Sequence, residues 1–259
     1  DMISKHMIED HHVDLRLEEE LAEIIADDNG RVKEIITKKG EIIPCQLVGL
    51  TAGVHPNVDF LKNTDLEIGR GIKVNKYLET NIPNVYAIGD CAEVTETVPN
   101  RRPIEAVWYV GRMMGETVAR SLTGNKMAYE PGVWFNSAKF MDIEYQTYGT
   151  VLNQPKENES VFYWKHPEKH ISFRAIYDSS SKALLGINVF GIRIRHKICD
   201  QWIKNQTPIS QVMVELKDAN FDPEFFKPYE KDIIAQFNKE NNTSIKPRKK
   251  SILKIFGVS

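Results

Sequence analysis

Cysteine is scarce in this chain, and its three residues, Cys45, Cys91 and Cys199, stand far apart. There is no Cys-x-x-Cys pair, so neither a disulfide framework nor a metal site of the zinc type is expected. Free thiols fit a reducing, cytoplasmic compartment. An excess of charge of one sign is also lacking. The formal net charge is −2, which argues against a nucleic-acid partner. No apolar run approaches the length of a membrane span, and no signal-peptide pattern is seen at the start. The chain begins Asp1-Met2-Ile3, which is compatible with a cut fragment. The pattern Gly-x-Gly-x-x-Gly, which cradles a pyrophosphate at a helix start, does not occur anywhere. Internal repeats and long low-complexity tracts are missing as well.

What is there suits a folded protein. The 259 residues are 41% hydrophobic and 27% charged, enough for one large or two ordinary domains. A helical pattern covers residues 3–12. Two β-prone runs, Leu21 to Ala26 and Val32 to Thr37, flank Asp27-Asp28-Asn29-Gly30, a strong hairpin signal. A second turn at Lys38-Lys39-Gly40-Glu41 leads to Ile42-Ile43. Residues 46–51 then read as a buried strand ending at Ala52-Gly53.

Further strands are expected at 71–75 and 85–88. The second is apolar throughout, as a central parallel strand buried on both faces would be. Val107, Val110, Met114 and Val118 recur at helical spacing within 104–122, and Gly124-Asn125 is a stop signal.

Beyond residue 128 the texture changes. Strand patterns at 143–151, 161–164, 171–177 and 183–190 are followed by helical patterns at 195–204 and 223–238. That combination predicts an α+β domain with an antiparallel sheet. The expected fold is thus α/β over 1–128 and α+β over 129–259. The end, Lys246-Pro247-Arg248-Lys249-Lys250, reads as a mobile basic tail.

The segment most informative about chemistry is Thr80-Asn81-Ile82-Pro83-Asn84-Val85-Tyr86-Ala87-Ile88-Gly89-Asp90. Pro83-Asn84 makes a turn into a strand. Gly89 has no Cβ, so a ligand can approach the backbone closely. Asp90 then falls at the carboxyl end of a strand, where α/β sheets bind ligands. Its carboxylate can accept hydrogen bonds from sugar-like hydroxyls. The helix that follows brings free N–H groups and a partial positive charge, which favour an anion.

Several segments, in one order, resemble the carboxyl-terminal portion of the pyridine-nucleotide-dependent flavoprotein reductases. This group includes NADH oxidases, rubredoxin and ferredoxin reductases, and the flavin part of nitrite reductases. Leu47 to Asn57 resembles the segment where the nucleotide domain returns to the flavin domain, and Gly53 takes the place of its glycine beside the nicotinamide. Gly71-Ile72-Lys73-Val74-Asn75 followed by Thr80 matches a family run. Val85 to Ala92 matches the flavin fingerprint, so the resemblance gives Asp90 the ribityl contact, next to Gly89. Glu105 to Arg112 resembles the helix start whose backbone faces the flavin pyrimidine ring, which points to Val107 and Trp108. Trp134 to Lys139 is similar in position to an aromatic motif of ferredoxin-reductase-like members, with Asn136 where that motif has tryptophan.

The resemblance implies FAD and NAD(P)H as cofactors and no general acid or base among these residues. It implies a longer parent, cut inside its nucleotide domain. About 1–45 would be the remnant of the NAD(P)-binding domain and about 46–128 the end of the FAD domain. Residues 129–259 would be an interface-like domain. The implied acceptor is oxygen, a disulfide, a quinone or a small iron protein. A rival reading makes the chain an interaction module, for homodimerisation or for docking an electron-acceptor protein. A third makes it a degenerate stand-alone protein.

Each cysteine is expected to be a small buried side chain. His11 and His12 are expected in solvent, and Arg101-Arg102 in a solvated loop. Trp134-Phe135 is expected in the core of the second domain.

Overall fold

The computed structural model describes residues 2–96 and 98–248. The chain divides into two units, Asp1–His55 and Pro56–Ser259.

The first unit opens with a short helix, α1 (Met2–Lys5), continued by a wider π-type turn over His6–Asp10. Three antiparallel strands follow in the order β1 (Leu21–Ala26), β2 (Val32–Thr37) and β3 (Ile42–Pro44). The expected hairpin is present, and Asp27 organises it. One carboxylate oxygen of Asp27 accepts from the amides of Asn29 and Arg31, each at 2.9 Å. Gly30 takes a left-handed φ of +74°, as the turn requires.

The strand expected over 46–51 is not formed. Leu47 and Leu50 point into solvent. No strand lies alongside this segment among the described residues, and an apolar run without a ladder partner has nothing to pair its backbone with.

The second unit contains two separate hydrophobic cores. The first lies within residues 74–129 and includes Val74, Leu78, Ala87, Ala92, Val110, Met114, Val118 and Tyr129. Two short parallel strands, β4 (Ile72–Val74) and β5 (Ala92–Val94), pair Ile72 with Ala92. A single 3₁₀ turn, Gly89–Cys91, feeds β5. Helix α2 (Trp108–Leu122) buries Val110, Met114, Thr117 and Val118. These recur at i, i+4, i+7 and i+8, one face of a helix. Asn125 N–H closes its end on Arg120 O at 3.0 Å, with Gly124 at a φ of +89°.

Two expectations for this region are corrected. Residues 85–88 are not a central strand: only Tyr86 forms a bridge, antiparallel to Glu79. Ala87 is buried, but Val85 and Ile88 are exposed. The parallel ladder here is formed by β4 and β5, and β5 begins after the fingerprint rather than inside it. Helix α2 also begins at Trp108, four residues later than expected, with Val107 as its extended N-cap.

The second core lies under a five-stranded antiparallel sheet of order β6-β7-β10-β9-β8. Its strands are β6 (Phe135–Phe140), β7 (Ile143–Gly149), β8 (Glu159–Lys165), β9 (Ser172–Asp178) and β10 (Leu184–Phe190). Helices α3 (His196–Lys204), α4 (Ile209–Glu215) and α5 (Glu230–Asn241) also contribute to this core. Trp202 Nε1 donates to Glu215 Oε2 at 2.7 Å and ties α3 to α4. The sheet and α3 agree with the sequence reading, which did not foresee β6 or α4. Helix α5 starts at Glu230 rather than at 223. Pro228 disfavours helical backbone in the residue before it, so the helix forms only beyond it. Lys249 and Lys250 of the basic tail lie outside the described residues. Within the tail, Arg248 N–H donates to Val214 O at 2.8 Å.

Candidate functional site: a glycine turn laid against a helix start

The fingerprint segment begins with a closed turn. Thr80 N–H donates to Val85 O at 2.9 Å, and Thr80 Oγ1 donates to the same carbonyl at 3.0 Å. Asn84 takes a left-handed φ of +63° inside this turn. Thr80 therefore shapes the approach to the strand-like residues 85–88.

The segment ends in the Gly89–Cys91 turn, which lies against α2. Gly89 N–H points at Met114 Sδ, 3.3 Å away. A Cβ built on Gly111 would stand 3.5 Å from Gly89 Cα, so the two backbones touch. A Cβ on Gly89 itself would meet nothing within 4 Å, so its own Cβ side is open. Its φ of +76° favours glycine. Asp90 is exposed, and its carboxylate has no hydrogen bond or ion pair among the described residues. Its carboxylate is available to an incoming hydroxyl.

The start of α2 is equally open. Val107 offers no side-chain cap, and no acidic residue stands in the first turn. The amides of Val110 and Gly111 both donate to Val107 O, at 3.0 and 3.1 Å. Those of Trp108 and Tyr109 have no backbone acceptor among the described residues. Trp108 is 69% exposed, with the Arg112 guanidinium 5.8 Å from its ring centre. An uncapped helix start with no carboxylate suits an electron-rich group.

The structure thus brings Gly89 against the helix that Val107 and Trp108 begin, with Asp90 on the same turn. Gly53 belongs to the first unit, where it is exposed with a φ of +90°. The donor set fits a flavin: an unpaired carboxylate for hydroxyls, open space beside Gly89, and free amides for an anionic edge.

Sequence reasoning missed the residues that hold this turn. Gly71 N–H donates to Glu93 Oε2 at 2.9 Å. It also missed the burial of Arg101. That side chain is 5% exposed and its partner Glu105 8%, far from a solvated loop. Arg101 Nε donates to both Glu105 oxygens, at 2.9 and 3.0 Å. Its Nη1 donates to Pro131 O at 2.8 Å and Gly132 O at 3.1 Å.

Cys199 is buried, and burial pushes its thiol up, whereas Cys45 and Cys91 are half-buried. His11 is exposed, as expected, and its Nε2 lies 3.1 Å from His6 Nε2. Phe135 packs on the second core and between the rings of Tyr109 and His196, at 4.8 and 4.4 Å. Among the described residues, no helix is long and apolar enough to cross a membrane.

Residues 1–115 match the family described as pyridine nucleotide-disulphide oxidoreductase. A relative from Pyrococcus horikoshii, an NAD(P)H coenzyme A polysulfide/persulfide reductase, is 31% identical over 201 residues. The match covers 72% of this chain and 44% of that protein. A solved NAD-dependent persulfide reductase from A. fulgidus superposes with a TM-score of 0.72 at 19% identity, covering 92% of this chain and 47% of the other. The covalent putidaredoxin reductase–putidaredoxin complex gives 0.63 at 18% identity, covering 90% and 52%. The two structural likenesses show the fold. The chain spans about half the length of the curated relatives it matches.

Proposed function

We propose that this chain, whose residues 1–115 belong to the pyridine nucleotide-disulphide oxidoreductase family, forms one wall of the flavin site of an NAD(P)H-dependent FAD oxidoreductase. FAD held there would supply the hydride and electron-transfer chemistry between NAD(P)H and an acceptor. This chain's residues position the cofactor. Asp90 accepts hydrogen bonds from the ribityl hydroxyls, and Gly89 lets the backbone lie close. The free amides of Trp108 and Tyr109, at the helix start that Val107 caps, would face the pyrimidine edge and favour its negative charge. Thr80 sets the turn that leads there, and Gly53 lies beside the nicotinamide. No side chain here serves as a general acid or base.

The observation that carries this reading is the unpaired, exposed Asp90 on a glycine turn packed against an uncapped helix start. In domain terms, residues 1–45 end the NAD(P)-binding domain, 46–128 end the FAD domain, and 129–259 form the interface domain. Free thiols at Cys45, Cys91 and Cys199 support a reducing, cytoplasmic compartment. The persulfide reductase relatives favour an oxidised sulfur compound as acceptor, and the reductase–putidaredoxin complex favours an electron-acceptor protein.

The test is a titration of FAD into the 259-residue chain, followed by flavin fluorescence. Weak, saturable binding is expected, since neither glycine-rich pyrophosphate loop is in this sequence. Asp90→Ala should weaken it by roughly tenfold, the loss of one charge-assisted hydrogen bond. Unchanged affinity in that variant counts against the assignment.

A second reading, that residues 129–259 act mainly as an interaction module, is favoured by one observation. Phe221, Phe225 and Phe226 are all exposed close together in sequence. A colourless dimer on a sizing column would support it.

A further inference from the structure

A cavity of about 340 Å³ is lined in part by Met114, whose Sδ also meets the Gly89 N–H. Its size lies within the roughly 300–1,000 Å³ usual for small-molecule sites. Val94, Val98, Pro103, Ala128 and Met114 give it an apolar lining. The charged groups around it balance. Lys76 lies 3.8 Å from Glu96, and Arg101 is held by Glu105. Arg102 and Glu130 add one charge of each sign.

One group in this wall is left unsatisfied. Tyr129 is 8% exposed, and its buried hydroxyl has no acceptor for its proton among the described residues; Arg101, the side chain beside it, carries donors only. Burial of the phenol, and secondarily the Glu105 carboxylate, raises its pKa, while Arg101 pulls the other way. The hydroxyl therefore keeps its proton at neutral pH and is a donor without an acceptor. A buried polar group left in that state costs free energy that a suitable ligand recovers.

We propose that this cavity binds a small, uncharged, mainly apolar ring compound bearing one carbonyl, which accepts the hydrogen bond of Tyr129. The apolar lining selects the ring, and the balanced charges select against an ion. The lone donor selects a carbonyl over a plain hydrocarbon. The hydroxyl is shut off from solvent in the empty chain, so the phenol turns slightly toward the cavity on binding. Met114 forms part of the wall and also meets Gly89 N–H, so an occupant presses on the side chain that backs the glycine turn. The proposal does not depend on the flavin assignment.

The test uses the full chain with ¹³C-methyl methionine and two probes of similar shape, acetophenone and ethylbenzene. The Met114 methyl signal, assigned with Met114→Leu, reports occupancy. Both probes are expected to shift it saturably, with acetophenone binding about tenfold more tightly, the worth of one hydrogen bond. Tyr129→Phe, which keeps the ring, should abolish that preference and leave ethylbenzene affinity unchanged. Ala128→Phe should fill the cavity and remove both shifts. The proposal is overturned if the Met114 signal does not respond to either probe. It is also overturned if acetophenone keeps its preference in Tyr129→Phe, or if both shifts survive in Ala128→Phe.

Discussion

Gly71 sits directly against the carbonyl of Cys91: a Cβ at position 71 would stand 2.6 Å from that oxygen. Real Cβ atoms do not approach a backbone oxygen so closely, and the carbonyl belongs to the turn that carries Asp90. Gly71→Ala must therefore push β4 away from the Gly89–Cys91 turn. We expect it to destabilise the chain by about 1–3 kcal/mol, in the range for overpacking. Gly69→Ala meets the Glu93 carboxylate instead, the movable end of a side chain, and should cost less. Urea unfolding of the two variants checks the order, and equal midpoints would contradict it.

The Arg101–Glu105 pair should behave as a buried ion pair. Glu105→Ala leaves the guanidinium buried without its carboxylate, though still bonded to the Pro131 and Gly132 carbonyls. We expect a loss of about 3–5 kcal/mol. Removing both charges, as Arg101→Met with Glu105→Leu, should cost less than the single change. A double variant less stable than Glu105→Ala would mean that the pair stabilises the fold well beyond its own desolvation.

His196 should give stability a pH dependence. Partial burial of its ring lowers its pKa below the ordinary 6.5, with nearby Asp200 opposing and Lys204 assisting. A depressed folded pKa means that the unfolded chain binds the proton more readily. The contribution is fully present above 6.5 and is lost as pH falls through the folded value. His196→Phe should flatten that part of the stability profile. An NMR titration of the ring giving a pKa at or above 6.5 would refute this.

Thiol chemistry should separate the three cysteines. Cys199 is buried, with its thiol pushed far up, so it is mostly un-ionised and shielded. With Ellman's reagent, Cys45 and Cys91 should react in the native chain and Cys199 only after unfolding. Three thiols reacting at one rate would overturn the burial of Cys199.

The parts of this fold that were legible in the sequence are those set by near neighbours. Asp27 to Gly30 carry their own turn, because the Asp27 carboxylate bonds amides two and four residues on. Helix α2 announced itself through Val110, Met114 and Val118. Strands β7 to β10 did so through β-prone runs bounded by turns. Residues 46–51 and 85–88 look like strands by composition, but a strand needs a partner, and neither segment has a ladder beside it. Strand β6 mixes Asn136, Ser137 and Lys139 into an irregular pattern, and α4 is seven residues long, too short for a clear period. At the candidate site, Gly89 and Asp90 were legible from a motif. Gly71, Glu93, Met114 and the Arg101–Glu105 pair were not, because their roles depend on residues brought near only by folding.

The strand order β6-β7-β10-β9-β8 carries a consequence for the timing of folding. Strands β8, β9 and β10 pair with their sequence neighbours and can form as a meander. Strand β7 can pair with β6 at once, but its other edge waits for β10, with Tyr148 facing Ile187. During synthesis, the β6–β7 hairpin emerges first and stays bare along one side until residue 190 has been made. Pulse-labelled hydrogen exchange should find the β8–β9 amides protected before those of β7 that face β10, since local pairings precede distant ones. The slow step in building this sheet is then the closure of its middle, with both outer hairpins already formed.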